Sequence, residues 1–310
     1  MNEVTSSGDA GVPQPRRTFE VRLDDGATII VRQHGRPDRP RLILSHGNGL
    51  AIDGYVPFWG PLRDRYEVIL FDFRNHGQNP LHSADAHRWP RFILDMEQVF
   101  QSINRELGHK RAAGLFHSLS GVTAAMHALK FGPRFDALVL FDPPLFPPEG
   151  HPLRGNQADD KNSLAARARR RTERYRDPSI LAGQFRARFP RWRPEAYELM
   201  ARATLRRDPD AGDWVLACPR EFEAEVFSTN ADPTLWDRFG TLPVPTKLIC
   251  GDPDLPEVMP PALIGRALAR QHGLPYEAIP GTTHFLQIEE PEKCARAMEE
   301  FLKPLGLAAS

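Results

Sequence analysis

The stretch Gly114-Leu-Phe-His-Ser-Leu-Ser-Gly121 decides the reading of this 310-residue chain. It joins an apolar run, Ala112 to Phe116, to a segment of helical period, Leu119 to Phe131. Ser118 therefore falls on a sharp strand-to-helix turn, with its hydroxyl projecting from the carboxyl end of a sheet. Such a turn is crowded and strained and asks for small neighbours. Working outward, the same pattern recurs. Arg41-Leu-Ile-Leu-Ser45, Glu67-Val-Ile-Leu-Phe71, Ala137-Leu-Val-Leu-Phe141 and Val244 to Cys250 are short apolar runs without alternation. Runs of that kind suit strands buried on both faces of a parallel sheet. Phe92 to Leu107, Met259 to Gln271 and Pro291 to Leu302 carry helical period between or after them. Phe19 to Leu23 and Thr28 to Gln33 flank Asp24-Asp25-Gly26, a hairpin signal. The expected class is α/β, a mostly parallel sheet with an antiparallel N-terminal hairpin.

The alternation stops after Phe141. From Pro143 to Phe239 there is no strand signal, only a Pro-rich loop and helical stretches separated by further prolines. Nearly 100 residues is too long for a loop in a compact domain, so a helical insertion over one end of the sheet is expected. The organisation is then a loose tail at residues 1–17, a core at 18–142 and 240–310, and the insertion at 143–239. Lys and Arg total 40 and Asp and Glu total 40, giving zero formal net charge, which argues against a dedicated nucleic-acid binder. No apolar run is long enough to span a membrane. The polar N-terminus lacks a signal-peptide core, and three scattered cysteines suggest a reducing compartment. A cytoplasmic location is the expectation.

Three further turns lie at strand ends. Leu44-Ser-His-Gly-Asn-Gly49 can offer a backbone N–H to a developing oxyanion, and Asn48 N–H with Leu119 N–H would form the pair. Leu248-Ile-Cys-Gly-Asp-Pro-Asp254 delivers two carboxylates, and Ile279-Pro-Gly-Thr-Thr-His284 delivers a histidine. A Ser hydroxyl needs a base within hydrogen-bond reach, an imidazole can take and return its proton, and a carboxylate fixes the imidazole tautomer. Ser118, Asp254 and His284 follow the order nucleophile, acid, base. Asp142, after an earlier strand, and Asp252 are the alternative acids.

From about Phe19 to Leu302 the chain resembles an α/β-hydrolase of the lipase/esterase-like superfamily with a cap. The His46-Gly47 turn, Phe71-Asp-Phe-Arg-Asn-His-Gly77, His117-Ser118, Asp254 and His284 carry the resemblance. It implies a serine hydrolase that cleaves a carboxylic ester or related acyl compound through an acyl-enzyme, with a small-molecule substrate and no cofactor or metal. Thioesterase, lactonase, amidase or C–C bond hydrolase chemistry with the same trio is the alternative, as is a non-catalytic ligand-binding relative. Asp in place of Ser118 would point to epoxide or haloalkane chemistry. The usual elbow, Gly-x-Ser-x-Gly, is altered here: its outer positions are Phe116 and Ser120. Phe116, Asp142 and Phe285 are candidate pocket walls. His46, His76 and Arg74 read as loop-ordering residues, and His117 is expected to point away from Ser118. There is no HExxH or other metal-ligand spacing.

Between Arg167 and Arg193 stand ten arginines against two acids, Glu173 and Asp177. A solvated helical face is the plain expectation. Recognition of an anionic substrate group, by Arg186, Arg188 and Arg191 for example, is the sharper one. Phe185, Phe189, Trp192 and Trp214 are expected to pack the insertion onto the sheet.

Overall fold

The computed structural model describes residues 11–229, 232 and 234–309, without the side chains of 156–161. In chain order, β1 is Arg17–Arg22, β2 Thr28–Gly35, β3 Arg41–Ser45, α1 Val56–Leu62 and β4 Glu67–Phe71. Then come α2 Trp89–Leu107, β5 Ala112–His117, α3 Leu119–Phe131 and β6 Ala137–Phe141. These form one eight-stranded sheet with β10 Thr246–Cys250 and β11 Tyr276–Ala278, in the order β1-β2-β4-β3-β5-β6-β10-β11. β2 pairs antiparallel with β1 and β4, and every pairing from β4 to β11 is parallel.

Every residue of β3, β4, β5, β6 and β10 is buried, which is why these strands read as continuous apolar runs. Their side chains still alternate between faces. Ile43, Ile69, Phe71, Phe116, Leu138, Leu140 and Leu248 pack on one side with α2, α3 and α9 (Pro260–His272). Leu42, Leu44, Val68, Leu70, Leu115, Val139, Phe141 and Ile249 pack on the other, with α1 and α11 (Pro291–Leu302). Much of the high proline content opens helices: Pro57, Pro90, Pro178, Pro194, Pro260 and Pro291 sit at the first or second helical position. There the missing N–H costs nothing and the fixed φ is helical already.

The segment between β6 and β10 holds α4 Arg154–Arg169, α5 Pro178–Arg188, α6 Pro194–Ala203, α7 Arg220–Ser228 and α8 Leu235–Arg238. It also holds three short strands, β7 Arg174–Tyr175, β8 Leu205–Arg207 and β9 Trp214–Leu216, paired antiparallel as β7-β9-β8. The expectation of a purely helical insertion is corrected on this point. Strands of two or three residues are too short to leave a period-2 signal, and their partners lie inside the same segment. Phe185 and Trp192 are buried in the core cluster that also contains Ile52, Tyr55 and Phe285. α6 lies so close to the 3-10 turn Ile52–Tyr55 that a Cβ on Gly54 would sit 2.2 Å from Met200.

Residues 1–10 of the expected loose tail lie outside the described residues. The remainder is tied down: Val12 packs on the core, Arg16 N–H donates to Gln33 O at 2.7 Å, and Arg17 already belongs to β1. Among the described residues no helix is long and apolar enough to cross a membrane. α10 (Leu286–Glu289) completes the set and follows the last loop of the site.

Candidate active site

Ser118 stands between β5 and α3 with φ 53° and ψ −115°. L-residues rarely occupy this left-handed region, and the sheet enforces it: Ser118 N–H donates to Phe141 O at 2.9 Å, and Ser118 O accepts from Val122 N–H at 3.0 Å. Close packing supports the turn. A Cβ on Gly47 would lie 3.2 Å from Ser118 Cβ, and one on Gly121 would lie 3.2 Å from Phe116 O. Phe116 replaces the small residue expected two positions before Ser118 without blocking the turn. Its ring drops to the far side of the sheet among Phe71, Phe100 and Phe135. Gly114 makes the room, since a Cβ there would meet the Phe116 ring at 2.4 Å. Phe116 is thus core rather than pocket wall.

His284 Nε2 lies 3.0 Å from Ser118 Oγ, and His284 Nδ1 lies 2.7 Å from Asp142 Oδ2. A carboxylate only accepts, so Nδ1 carries the proton and Nε2 presents its lone pair to the serine hydroxyl. Asp142 follows β6 with φ 47°. Its backbone N–H donates to Ile249 O at 3.0 Å, and its Oδ1 accepts from Gly251 N–H at 3.3 Å. It is fully buried and does not line the cavity.

The expectation that Asp254 would face His284 is corrected. Its side chain is 78% exposed and pairs with Arg266 at 2.8 Å. Asp252, two residues earlier, has a holding function. Its carboxylate accepts from Asp254 N–H at 2.9 Å and Gly281 N–H at 2.8 Å, while its own N–H donates to Thr282 O at 2.8 Å. Glu289 pins the same loop from the other side, accepting from Thr283 N–H and Oγ1–H at 2.6 Å each. A Cβ on Gly251 would strike Thr283 O at 2.6 Å, so that residue must be Gly for the acid and base loops to touch.

The turn after β3 is ordered by neutral histidines. Gly49 N–H donates to His76 Nε2 at 3.1 Å, and His76 Nδ1–H donates to Arg74 O at 2.9 Å. His46 Nε2 accepts from Phe73 N–H at 3.1 Å, and its Nδ1–H donates to Gly47 O at 2.8 Å. With Nε2 occupied as an acceptor, the 3.3 Å approach of Asp72 to that atom is no ion pair. Burial holds His46 down at about 4 and His76 well below the ordinary imidazole range. Arg74 is fixed by Asp95 and Asp25. Among the described residues neither Asn48 N–H nor Leu119 N–H has a protein acceptor. Leu119 opens α3, where the helix dipole adds partial positive charge.

Two residues left out of the sequence-derived trio tie these parts together. His117 Nε2 lies 2.8 Å from His284 O, so it is the protonated nitrogen. His117 Nδ1 therefore accepts from the Tyr55 hydroxyl at 2.7 Å, and that oxygen in turn accepts from Gly47 N–H at 3.3 Å. Burial pushes the His117 ring well below its ordinary range. His117 does point away from the Ser118 hydroxyl, but it points at the backbone of the base. Nothing in the sequence near Tyr55 signals this.

A cavity of about 250 Å³ opens over Ser118 and His284. Phe285 lines it, with Leu119, Val122, Leu145, Phe185 and Phe189. As a metal-ligand group, His76, His87 and Cys218 bring one donor atom each within 4.8 Å of one another. His76 already uses both ring nitrogens, which leaves two available donors, fewer than a structural zinc site requires.

The alpha/beta hydrolase family model matches residues 42–297. The 1-acylglycerol-3-phosphate O-acyltransferase ABHD5 of Homo sapiens is 29% identical over 145 residues, 44% of this chain and 39% of that protein. The chain spans about two fifths of the length of the curated relatives it matches. Among solved structures, E-2-(acetamidomethylene)succinate hydrolase is 19% identical with a TM-score of 0.74, covering 93% of this chain and 99% of that one. The thioesterase domain from the curacin biosynthetic pathway is 18% identical with a TM-score of 0.70, covering 90% and 98%. These two share the fold. With most of its length matched by the family model, from β3 to α11, the chain belongs to the alpha/beta hydrolase family.

Proposed function

We propose that the chain is a serine hydrolase of a carboxylic ester or related acyl compound, with Ser118 as nucleophile, His284 as base and Asp142 as the acid that holds it. One observation carries this reading. The 2.7 Å bond to Asp142 fixes the His284 tautomer that leaves Nε2 free, and Nε2 lies 3.0 Å from Ser118 Oγ. As Oγ attacks the acyl carbon, its proton passes to Nε2 and the carbonyl oxygen becomes an oxyanion. The N–H groups of Asn48 and Leu119 receive that charge, and each such donor is worth about 10²–10³ in kcat. The bond to the leaving group then breaks, and the Nε2 proton goes to the departing atom. Water attacks the acyl-enzyme by the same route and restores Ser118. The segment 143–239 is a cap over the site, and Phe285, Phe185 and Phe189 offer the acyl group an apolar wall.

A second reading uses the same acyl-enzyme but hands the acyl group to an alcohol in place of water. The O-acyltransferase activity of the ABHD5 relatives favours it. Both readings require Ser118 to react with an active-site-directed fluorophosphonate. Wild type labels and Ser118→Ala does not; equal labelling, or none in either, refutes both. Adding an acceptor alcohol to an ester assay separates them by whether acylated alcohol or free acid accumulates.

A further inference from the structure

The arginines of the segment 143–239 divide by where their charge goes. Arg169 faces Glu221, Arg174 faces Asp208, Arg191 faces Glu257 and Arg193 faces Glu292. Arg186 lies over the Tyr197 ring. Of Arg186, Arg188 and Arg191, the candidates for anion recognition, Arg186 and Arg191 are engaged elsewhere and do not line the cavity. Arg167, Arg171 and Arg188 do line it, in the chamber that Ser118 and His284 open into.

Their surroundings are short of negative charge. Arg171 pairs with Glu223, the carboxylate packed against Gly49 on the oxyanion side of the cavity. Among the described residues neither Arg167 nor Arg188 has an ion-pair partner; Arg188 lies over the Phe189 ring, itself part of the cavity wall, at 5.1 Å. The second acid on the wall, Asp232, faces Arg238 at 3.7 Å and accepts from Thr234 N–H at 2.8 Å. One carboxylate thus answers three guanidinium groups. Burial, and then the charges of Arg167 and Arg171, lower the proton affinity of Arg188. The three cations therefore feel one another across the cavity. Arg167 and Arg188 are both exposed by surface area, so they line the cavity at its rim. The rest of the wall is largely apolar, through residues such as Trp89, Val122, Leu145 and Phe227.

We propose that Arg167, Arg171 and Arg188 form a receptor for an anionic oxyacid group on the substrate, so that the acyl compound cleaved carries a carboxylate or phosphate-type group besides its scissile bond. Guanidinium groups match the planar oxygens of such groups with two parallel N–H bonds. An apolar chamber with a cationic rim selects a molecule with an apolar body and one charged end. This inference rests on the reading of Ser118 as nucleophile.

The test uses mono-p-nitrophenyl esters of dicarboxylic acids of graded length, their methyl-capped neutral counterparts, and ω-phosphonate analogues. The quantity read is the ratio of kcat/KM for the anionic ester to that for its neutral partner. In wild type the ratio exceeds one at the best chain length, and the carboxylate and phosphonate arms show which oxyacid the rim prefers. Charge-assisted hydrogen bonds set the scale, so Arg167→Gln with Arg188→Gln lowers the ratio by about 10- to 100-fold. Arg186→Gln leaves it unaltered. A wild-type ratio at or below one at every length in both arms overturns the proposal, as does a ratio that the double substitution does not move. A second measurement separates this from failure of the hydrolase reading. Calorimetry with Ser118→Ala gives the Kd of the intact monoester, expected to weaken at least about tenfold when Arg167 and Arg188 are also replaced. If fluorophosphonate fails to label Ser118, the hydrolase reading falls and this Kd alone decides: a weaker Kd keeps the receptor, and an equal one removes it.

Discussion

Replacing Asp142 by Asn exchanges an oxygen for an NH₂ group and tests which carboxylate serves His284. The neighbours dictate how the new amide sits. Gly251 N–H donates to Asp142 Oδ1 at 3.3 Å, and His284 Nδ1 meets Oδ2 at 2.7 Å. In Asp142→Asn the amide oxygen must stay with Gly251 N–H, which turns the NH₂ group toward His284. The imidazole then has to accept at Nδ1 and carry its proton on Nε2, aimed at Ser118 Oγ. That is the wrong tautomer for a base. The same exchange in the serine-protease triad costs about 10⁴ in kcat, which corresponds to about 5 kcal/mol of transition-state stabilisation. We expect a loss of that order with p-nitrophenyl butyrate, little change in KM, and an unchanged far-ultraviolet circular dichroism spectrum. Asp254→Asn is the matched control. Its side chain is 78% exposed and its partner Arg266 lies on the surface, so kcat should stay within about a factor of two, since exposed pairs contribute little. A loss above about 100-fold in Asp254→Asn, with Asp142→Asn near wild type, would refute the assignment and return the acid to the loop after β10.

Three more outcomes follow from the geometry. Tyr55→Phe strands His117 Nδ1 and Gly47 N–H, each a buried group left unpaired at about 1–3 kcal/mol. It should lower both the melting temperature and kcat, and wild-type values for both would remove Tyr55 from the positioning network. Phe116→Ala should cost about 3–5 kcal/mol of stability in urea titrations, the usual range for a buried Phe, while leaving KM unchanged because the ring faces the core; a raised KM with intact stability would place it back in the pocket. Acidification should destabilise the fold. Burial holds His34 and His46 at about 4 against an ordinary 6.5, so the unfolded chain binds more protons in that window. Their stabilisation is complete above about pH 6.5 and is lost as pH falls toward 4, about 3 kcal/mol each. Asp72, raised by burial to about 6 from 3.8, acts in the opposite sense and offsets about 3 kcal/mol. His76 and His117, held lower still by burial, add to the loss, so stability falls on acidification, and urea stabilities equal at pH 7 and pH 4.5 would contradict it.

The sheet was legible because both of its faces are covered. β3, β4 and β6 carry continuous apolar runs, and their observed ends, Arg41–Ser45, Glu67–Phe71 and Ala137–Phe141, coincide with those runs. α3 at Leu119–Phe131 and α11 at Pro291–Leu302 were equally plain, since a Gly C-cap bounds one and Pro opens the other. The three strands of the inserted segment left no such trace. The acid is ambiguous in the sequence for a different reason. Ser118, Asp142, His284 and Ser118, Asp254, His284 have the same chain order, so order cannot choose between them. What chooses is the depth of the strand end. Asp142 leaves a central strand with φ 47° and is buried under His284, whereas Asp254 lies two residues beyond Asp252, in a turn that faces water.

The arginine excess also has two physical origins, which composition merges. Arg32, Arg41 and Arg74 are buried and matched to Asp53, Glu67 and Asp95. Such pairs recover the cost of desolvation only where geometry and further hydrogen bonds are good, and these arginines fasten strand ends and turns. Arg32 holds Asp53 in the 3-10 turn that follows Gly49, and Arg74 O accepts from His76, which in turn accepts from Gly49 N–H. Arg167 and Arg188 lie at the exposed rim without a matched acid, so stability gives no reason for two cations to converge on a cavity that already holds Arg171. An unmatched charge at a binding surface contributes when a counter-charge arrives, because the water it gives up is replaced by a directed bond. The same residue type therefore fixes the fold below the site and is left open above it, and only the partner of each guanidinium distinguishes the two.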